Sequence, residues 1–169
     1  GFAGNGVMIW DVITLKRTML AEKSSQRALP SVVFSPDGKT LVSGGICISD
    51  MELWDVATGK HKATLERDDP YGVLAMAFAP DSKTVVSVDR HDGIKVWDAA
   101  TGKDTGSIKM DDIGYATISS DAKTLVTTKW NDDADGKEIH LWEIATGKEL
   151  STFKGHTTVV GRLAFTPDT

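Results

Sequence analysis

Trp54-Asp55-Val56-Ala57-Thr58-Gly59-Lys60 decides the reading of this chain, because it returns twice, as Trp97-Asp98-Ala99-Ala100-Thr101-Gly102-Lys103 and as Trp142-Glu143-Ile144-Ala145-Thr146-Gly147-Lys148. Trp10-Asp11 opens an earlier copy, so a Trp followed by an acid recurs at steps of 44, 43 and 45 residues. A second series keeps phase with the first: Phe34-Ser35-Pro36-Asp37, Phe78-Ala79-Pro80-Asp81, Ile118-Ser119-Ser120-Asp121 and Phe165-Thr166-Pro167-Asp168. Self-similarity at a fixed period marks a repeat architecture, in which one supersecondary unit is stacked against copies of itself.

Each unit reads as four short strands. Ser31 to Ser35, Lys39 to Gly44, Met51 to Val56 and Lys62 to Leu65 are apolar or alternating runs rich in β-branched and aromatic residues, with turn formers between them. In Ser35-Pro36-Asp37-Gly38 the proline presets φ, and the glycine can take the positive φ that closes a hairpin. In Asp55 to Lys60, Gly59 plays the same part and Asp55 can accept hydrogen bonds from the turn. Both stretches join antiparallel neighbours, so the fold class is all-β.

A four-stranded unit cannot bury both faces alone. Units with a period of about 40 to 45 residues and a Trp-Asp dipeptide stack around an axis as a propeller. The chain closely resembles the WD-repeat β-propeller family over nearly its whole length, and its SPDGKT and WDVATGK wording is similar to bacterial repeats of that family. The resemblance implies blades of strands a to d from the axis outward. It also implies one face carrying the d-to-a and b-to-c loops, and an opposite face carrying the other hairpins.

On that frame residues 1–169 form a partial propeller of about four blades' worth: a half blade over 1–20, blades over 31–65, 74–108 and 115–153, and a lone inner strand over 159–165. Phe2 and Ala3 read as the stub of a b strand. Such an arc leaves unpaired strand edges and an apolar blade face in water. The expectation is closure by another copy, two chains making an eight-bladed ring, or by the remaining blades of a larger propeller.

The family's blades carry a hydrogen-bonded set of His, Ser or Thr, Asp and Trp. Here it is expected to be eroded. Gly155-His156 is the one Gly-His pair, and the middle repeat keeps Ser87, Asp92 and Trp97 but has no histidine between Glu66 and Gly72. Stability is expected to rest on packing between blades and on strand pairing, with the repeat tryptophans structural.

Composition narrows the function. The chain has 169 residues, 40% apolar and 25% charged, which is ordinary for a globular protein and excludes collagen-like, coiled-coil and disordered readings. Its net charge of -5, without a basic run, argues against nucleic acid. No apolar stretch approaches the roughly 18 residues of a membrane span. The single cysteine, Cys47, lies between Ile46 and Ile48 and reads as a small buried hydrophobe. His61, His91, His140 and His156 fall on different repeats with neither HExxH nor CxxC nearby, so no catalytic or metal residues are assigned and no cofactor is expected. His140 and His61 read as surface or blade-packing residues.

Asn131-Asp132-Asp133-Ala134-Asp135-Gly136 begins like a calcium loop, but its twelfth position is Trp142 rather than Glu, so it reads as a long b-to-c hairpin with solvated acids. Trp130, the one tryptophan outside the repeat series, opens that loop. With Tyr71 and Arg67 from a neighbouring d-to-a loop it supplies residue types that dominate binding hot spots. Asp68, Asp69, Asp132 and Asp133 give the same face an acidic bias and point to a basic or mixed-charge partner. The expected partner-binding set is therefore Arg67, Asp68, Asp69, Tyr71, Trp130, Asp132 and Asp133. The expected function is a non-catalytic scaffold that binds protein or peptide. Two alternatives are an accessory module of a multidomain enzyme and a purely architectural, self-assembling fragment.

Overall fold

The computed structural model describes residues 7–19, 30–45, 50–67, 71–130 and 137–166. Among them, fourteen strands form one two-stranded and three four-stranded antiparallel sheets. The first sheet holds β1 (Met8–Trp10) and β2 (Arg17–Met19). The second holds β3 (Pro30–Phe34), β4 (Thr40–Gly45), β5 (Met51–Asp55) and β6 (His61–Leu65). The third holds β7 (Val73–Phe78), β8 (Thr84–Asp89), β9 (Gly93–Asp98) and β10 (Asp104–Ile108). The fourth holds β11 (Ile113–Ile118), β12 (Thr124–Lys129), β13 (Ile139–Glu143) and β14 (Lys148–Phe153). Every strand pairs with its sequence neighbour, so each sheet is a simple meander and the sheets stand as propeller-like blades in an unclosed series.

The repeated turns work as their residues dictate. Asp55 Oδ1 accepts from Thr58 N at 2.8 Å and Thr58 Oγ1 at 2.6 Å, and Gly59 N donates to Asp55 O at 2.8 Å. Gly59, Gly102 and Gly147 hold φ values of 69, 72 and 68°, the left-handed region where a Cβ is costly. The earliest hairpin puts Leu15 in that place at φ 56°. At the other turn, Asp37 Oδ1 accepts from Ser35 Oγ at 2.6 Å and Lys39 N at 3.0 Å.

Period-two alternation sends opposite faces of each sheet to different neighbours. Val42, Leu53 and Leu65 of the second sheet meet Val73, Met76, Phe78, Val85 and Trp97 of the third. The other face of the third sheet, with Val86, Val88 and Ile94, packs on Ile113, Leu125 and Ile144 of the fourth. Leu41 and Trp54 face back toward Val7 and Ile9. The core is thus a set of slabs between sheets, as a stack of blades requires.

Two expectations need adjustment. The hydrogen-bonded set is less eroded than the missing histidines imply. Trp54 Nε1 donates to Ser43 Oγ at 2.9 Å, Trp97 Nε1 to Ser87 Oγ at 3.0 Å and Trp142 Nε1 to Thr127 Oγ1 at 2.8 Å. The indole-to-hydroxyl link between strands b and c survives because it needs neither the histidine nor the d-to-a loop. Residues 159–165, expected as a lone inner strand to be paired from outside these blades, lie in none of the described sheets. Trp10, expected to be structural like its equivalents, is 58% exposed, against 6% for Trp54 and 2% for Trp97, its sheet holding two strands among the described residues where theirs hold four. Phe2, Ala3 and Cys47 lie outside the described residues.

Candidate functional site: the loop face of the second and third blades

The face carrying the d-to-a and b-to-c loops gathers side chains from three connections. Between β6 and β7 the chain turns Arg67 inward. Its Nη2 lies 2.7 Å from Asp89 Oδ1 and its Nε donates to Asp89 Oδ2 at 3.1 Å, with both side chains fully buried. Arg67 was expected at the partner surface, and that expectation is corrected. Asp89 ends β8 in an apolar slab, and a buried carboxylate requires a cation with matching geometry. Tyr71, from the same connection, points outward, is 59% exposed and meets His91 edge-on with ring centroids 5.0 Å apart.

Trp130 follows β12 and is 60% exposed. The Arg90 guanidinium lies over it, 3.7 Å from the ring centroid. Backbone bonds set this pairing: Ile113 N donates to Arg90 O at 3.2 Å, and Trp130 N donates to Asp112 O at 3.0 Å. The start of β11 is therefore clasped between the two loops, and the guanidinium and indole meet above it. A cation over an indole contributes about 0.5–1 kcal/mol at an exposed site. More important here, it holds a large apolar surface in a fixed orientation.

Arg90 and His91 were not among the expected site residues, although they follow β8 at the position from which Trp130 follows β12. That shared register was the available signal. Asp68, Asp69, Asp132 and Asp133 lie outside the described residues, as does the 131–136 stretch that begins like a calcium loop. Among the described residues no group of three or more His, Cys, Asp and Glu side chains could hold a metal ion.

The histidines are placed separately. His61 meets Trp54 edge-on with ring centroids 5.3 Å apart. His140 stacks on Trp142 at 6.0 Å, and its Nδ1 lies 2.8 Å from Glu149 Oε1. The Thr152 hydroxyl, and after it His140, hold the Glu149 carboxyl below the usual glutamate range, so it stands ionised beside the ring.

A comparison with curated protein sequences gives no match. Residues 59–98 match the family described as WD domain, G-beta repeat. That stretch runs from the β5–β6 hairpin to the Trp97-Asp98 dipeptide of β9, one full repeat in length. A WD-repeat match over residues 59–98 and three phased four-stranded blades in an unclosed series are consistent with a partial WD-repeat propeller.

Proposed function

We propose that this chain is a non-catalytic scaffold that binds a protein or peptide through the loop face bearing Tyr71, His91, Arg90 and Trp130. The observation that carries this reading is the Arg90–Trp130 stack. An exposed tryptophan held in one orientation by a guanidinium presents apolar area at little entropic cost, which is what a hot spot needs. Tyr71 against His91 supplies a second anchor of the same kind. Asp68, Asp69, Asp132 and Asp133, neighbours of these residues in sequence, favour a basic or mixed-charge ligand.

Selection of displayed peptides on the purified chain tests the reading. Enriched peptides should carry Lys or Arg beside an aromatic residue. They should bind the Tyr71→Ala/Trp130→Ala double variant at least about tenfold more weakly, the loss of roughly 1.4 kcal/mol expected at a hot spot. Peptides that bind parent and double variant alike would refute it.

A second reading concerns completion of the ring, and a gradient along the outer strands favours it. Leu65 on β6 is fully buried under the next blade and Ile108 on β10 is half-buried, whereas Phe153, at the matching place on β14, is 50% exposed. We propose that a second copy covers this face, with the remaining blades of a larger propeller as the competing occupant. A light-scattering mass of two chains supports the second copy; a folded, monodisperse single chain refutes it.

A further inference from the structure

Leu15 departs from the rest of the repeat series. It lies five residues after Trp10, the place that Gly102 and Gly147 take after Trp97 and Trp142. Its φ of 56° falls in the same left-handed region as their 72 and 68°. A leucine in that region is strained by its Cβ, and a residue held in strain calls for a reason. Packing among the described residues does not supply one, since the side chain is 75% exposed.

The two glycines show what this position faces. A Cβ on Gly102 would stand 2.7 Å from Thr64 O on β6, and one on Gly147 would stand 2.5 Å from Ile108 Cγ2 on β10. In both seams the hairpin presses on the outer strand of the preceding sheet, and the missing side chain lets the blades close. Leu15, with the same backbone conformation, aims its side chain at the same side of the first sheet. A preceding blade cannot sit there at the spacing of the two inner seams. Trp10 lies open at 58% exposure, whereas Trp97 is buried in the cluster it shares with the preceding sheet.

The open face of the fourth sheet carries the counterpart. By register Phe153 on β14 pairs with Ile139 as Ile108 on β10 pairs with Ile94, so Phe153 takes the place of Ile108, the residue that a side chain on Gly147 would strike. Phe153 is larger than Ile108 and 50% exposed. A seam that continues the two inner ones, with a fourth sheet before a first, sets Leu15 on Phe153. Two large apolar side chains then meet where the seam between the third and fourth sheets has a glycine and an isoleucine. Resting on the reading that a second copy covers the fourth sheet, we propose that the seam between copies is wider than the inner seams by one layer of side chains, built by Leu15 of one copy against Phe153 of the other. Because Leu15 would clash at inner spacing, the layer also selects this pairing over a seam of the inner kind.

The test uses the full chain with Cys47→Ser as background, because Cys47 is its single cysteine. Leu15→Cys and Phe153→Cys are made on separate chains, mixed, and treated with a short bifunctional thiol reagent. A cross-linked two-chain product should form in the mixture and with neither variant alone, while the second seam of each mixed pair keeps its native Leu15 and Phe153. Leu15→Gly gives an independent reading. It restores the glycine of the other repeats and relieves the left-handed leucine, so the chain should fold. Its dissociation constant, from light scattering on dilution, should nevertheless rise at least about tenfold, the loss expected when one apolar side chain is withdrawn from burial. A two-chain mass without the cross-link, or with affinity unchanged in Leu15→Gly, would overturn this seam and leave the second-copy reading standing. A single-chain mass, or a chain bearing both cysteine substitutions that cross-links only to itself, would overturn both.

Discussion

Arg67 and Asp89 form a buried, two-pronged ion pair, Nη2 to Oδ1 at 2.7 Å and Nε to Oδ2 at 3.1 Å, that ties the loop between two blades to the inner part of the second of them. This is the connection in which the family's histidine is missing from the sequence. Removing one partner of such a pair leaves an uncompensated charge in an apolar slab. Arg67→Met or Asp89→Leu should each lower unfolding stability by about 3–5 kcal/mol, while the double variant should recover most of the loss. Urea titrations of the four proteins form the cycle; strictly additive losses would show that the pair is not coupled.

The indole-to-hydroxyl links make a graded prediction. Ser87→Ala strands the Trp97 Nε1 donor in a site 2% exposed and should cost about 1–3 kcal/mol. Thr127→Val beneath the half-buried Trp142 should cost less, because water can reach part of that ring. Equal losses at the two sites, read from denaturation midpoints, would contradict the argument.

Acid should weaken the turns. The Thr58 hydroxyl and amide hold the Asp55 carboxyl below its ordinary value of 3.8, and the Thr101 hydroxyl and amide do the same for Asp98. Ser35 and Ser119 act likewise on Asp37 and Asp121. A carboxyl whose folded pKa is depressed contributes stability that is complete above its unfolded pKa and is lost as pH falls through the folded one. Denaturation midpoints should therefore hold steady from pH 7 to about pH 5 and fall below about pH 4. A midpoint unchanged at pH 3 would count against these bonds.

Two glycines should respond in opposite directions to alanine. Gly93 sits at φ 80°, and a Cβ there would stand 2.4 Å from both Ile108 O and Met110 N, which are backbone atoms with little freedom to give. Gly93→Ala should cost well over the roughly 1–2 kcal/mol of a left-handed alanine alone. Gly106, on the outer strand β10, meets nothing within 4 Å of an added Cβ and has no positive φ, so Gly106→Ala should be neutral or stabilising by up to about 1 kcal/mol. Thermal melts of the two variants provide the check.

Period and turn chemistry are local properties, and for that reason they could be read without coordinates. Trp54-Asp55 to Lys60 carries its own hairpin: the aspartate caps it, the glycine takes the positive φ, and alternation on either side assigns one face of each strand to a slab. Strand order within a sheet and the structural role of Trp54, Trp97 and Trp142 follow from residues within a few positions of one another. Arg67 could not be placed that way. A lone arginine beside two aspartates looks like surface charge, and only the approach of Asp89, 22 positions later, turns it inward. Arg90 over Trp130 is likewise made by two blades meeting. The pattern along the chain says which residues share a face, but contact across a seam depends on how adjacent sheets twist and settle, and that is set by packing of the whole stack.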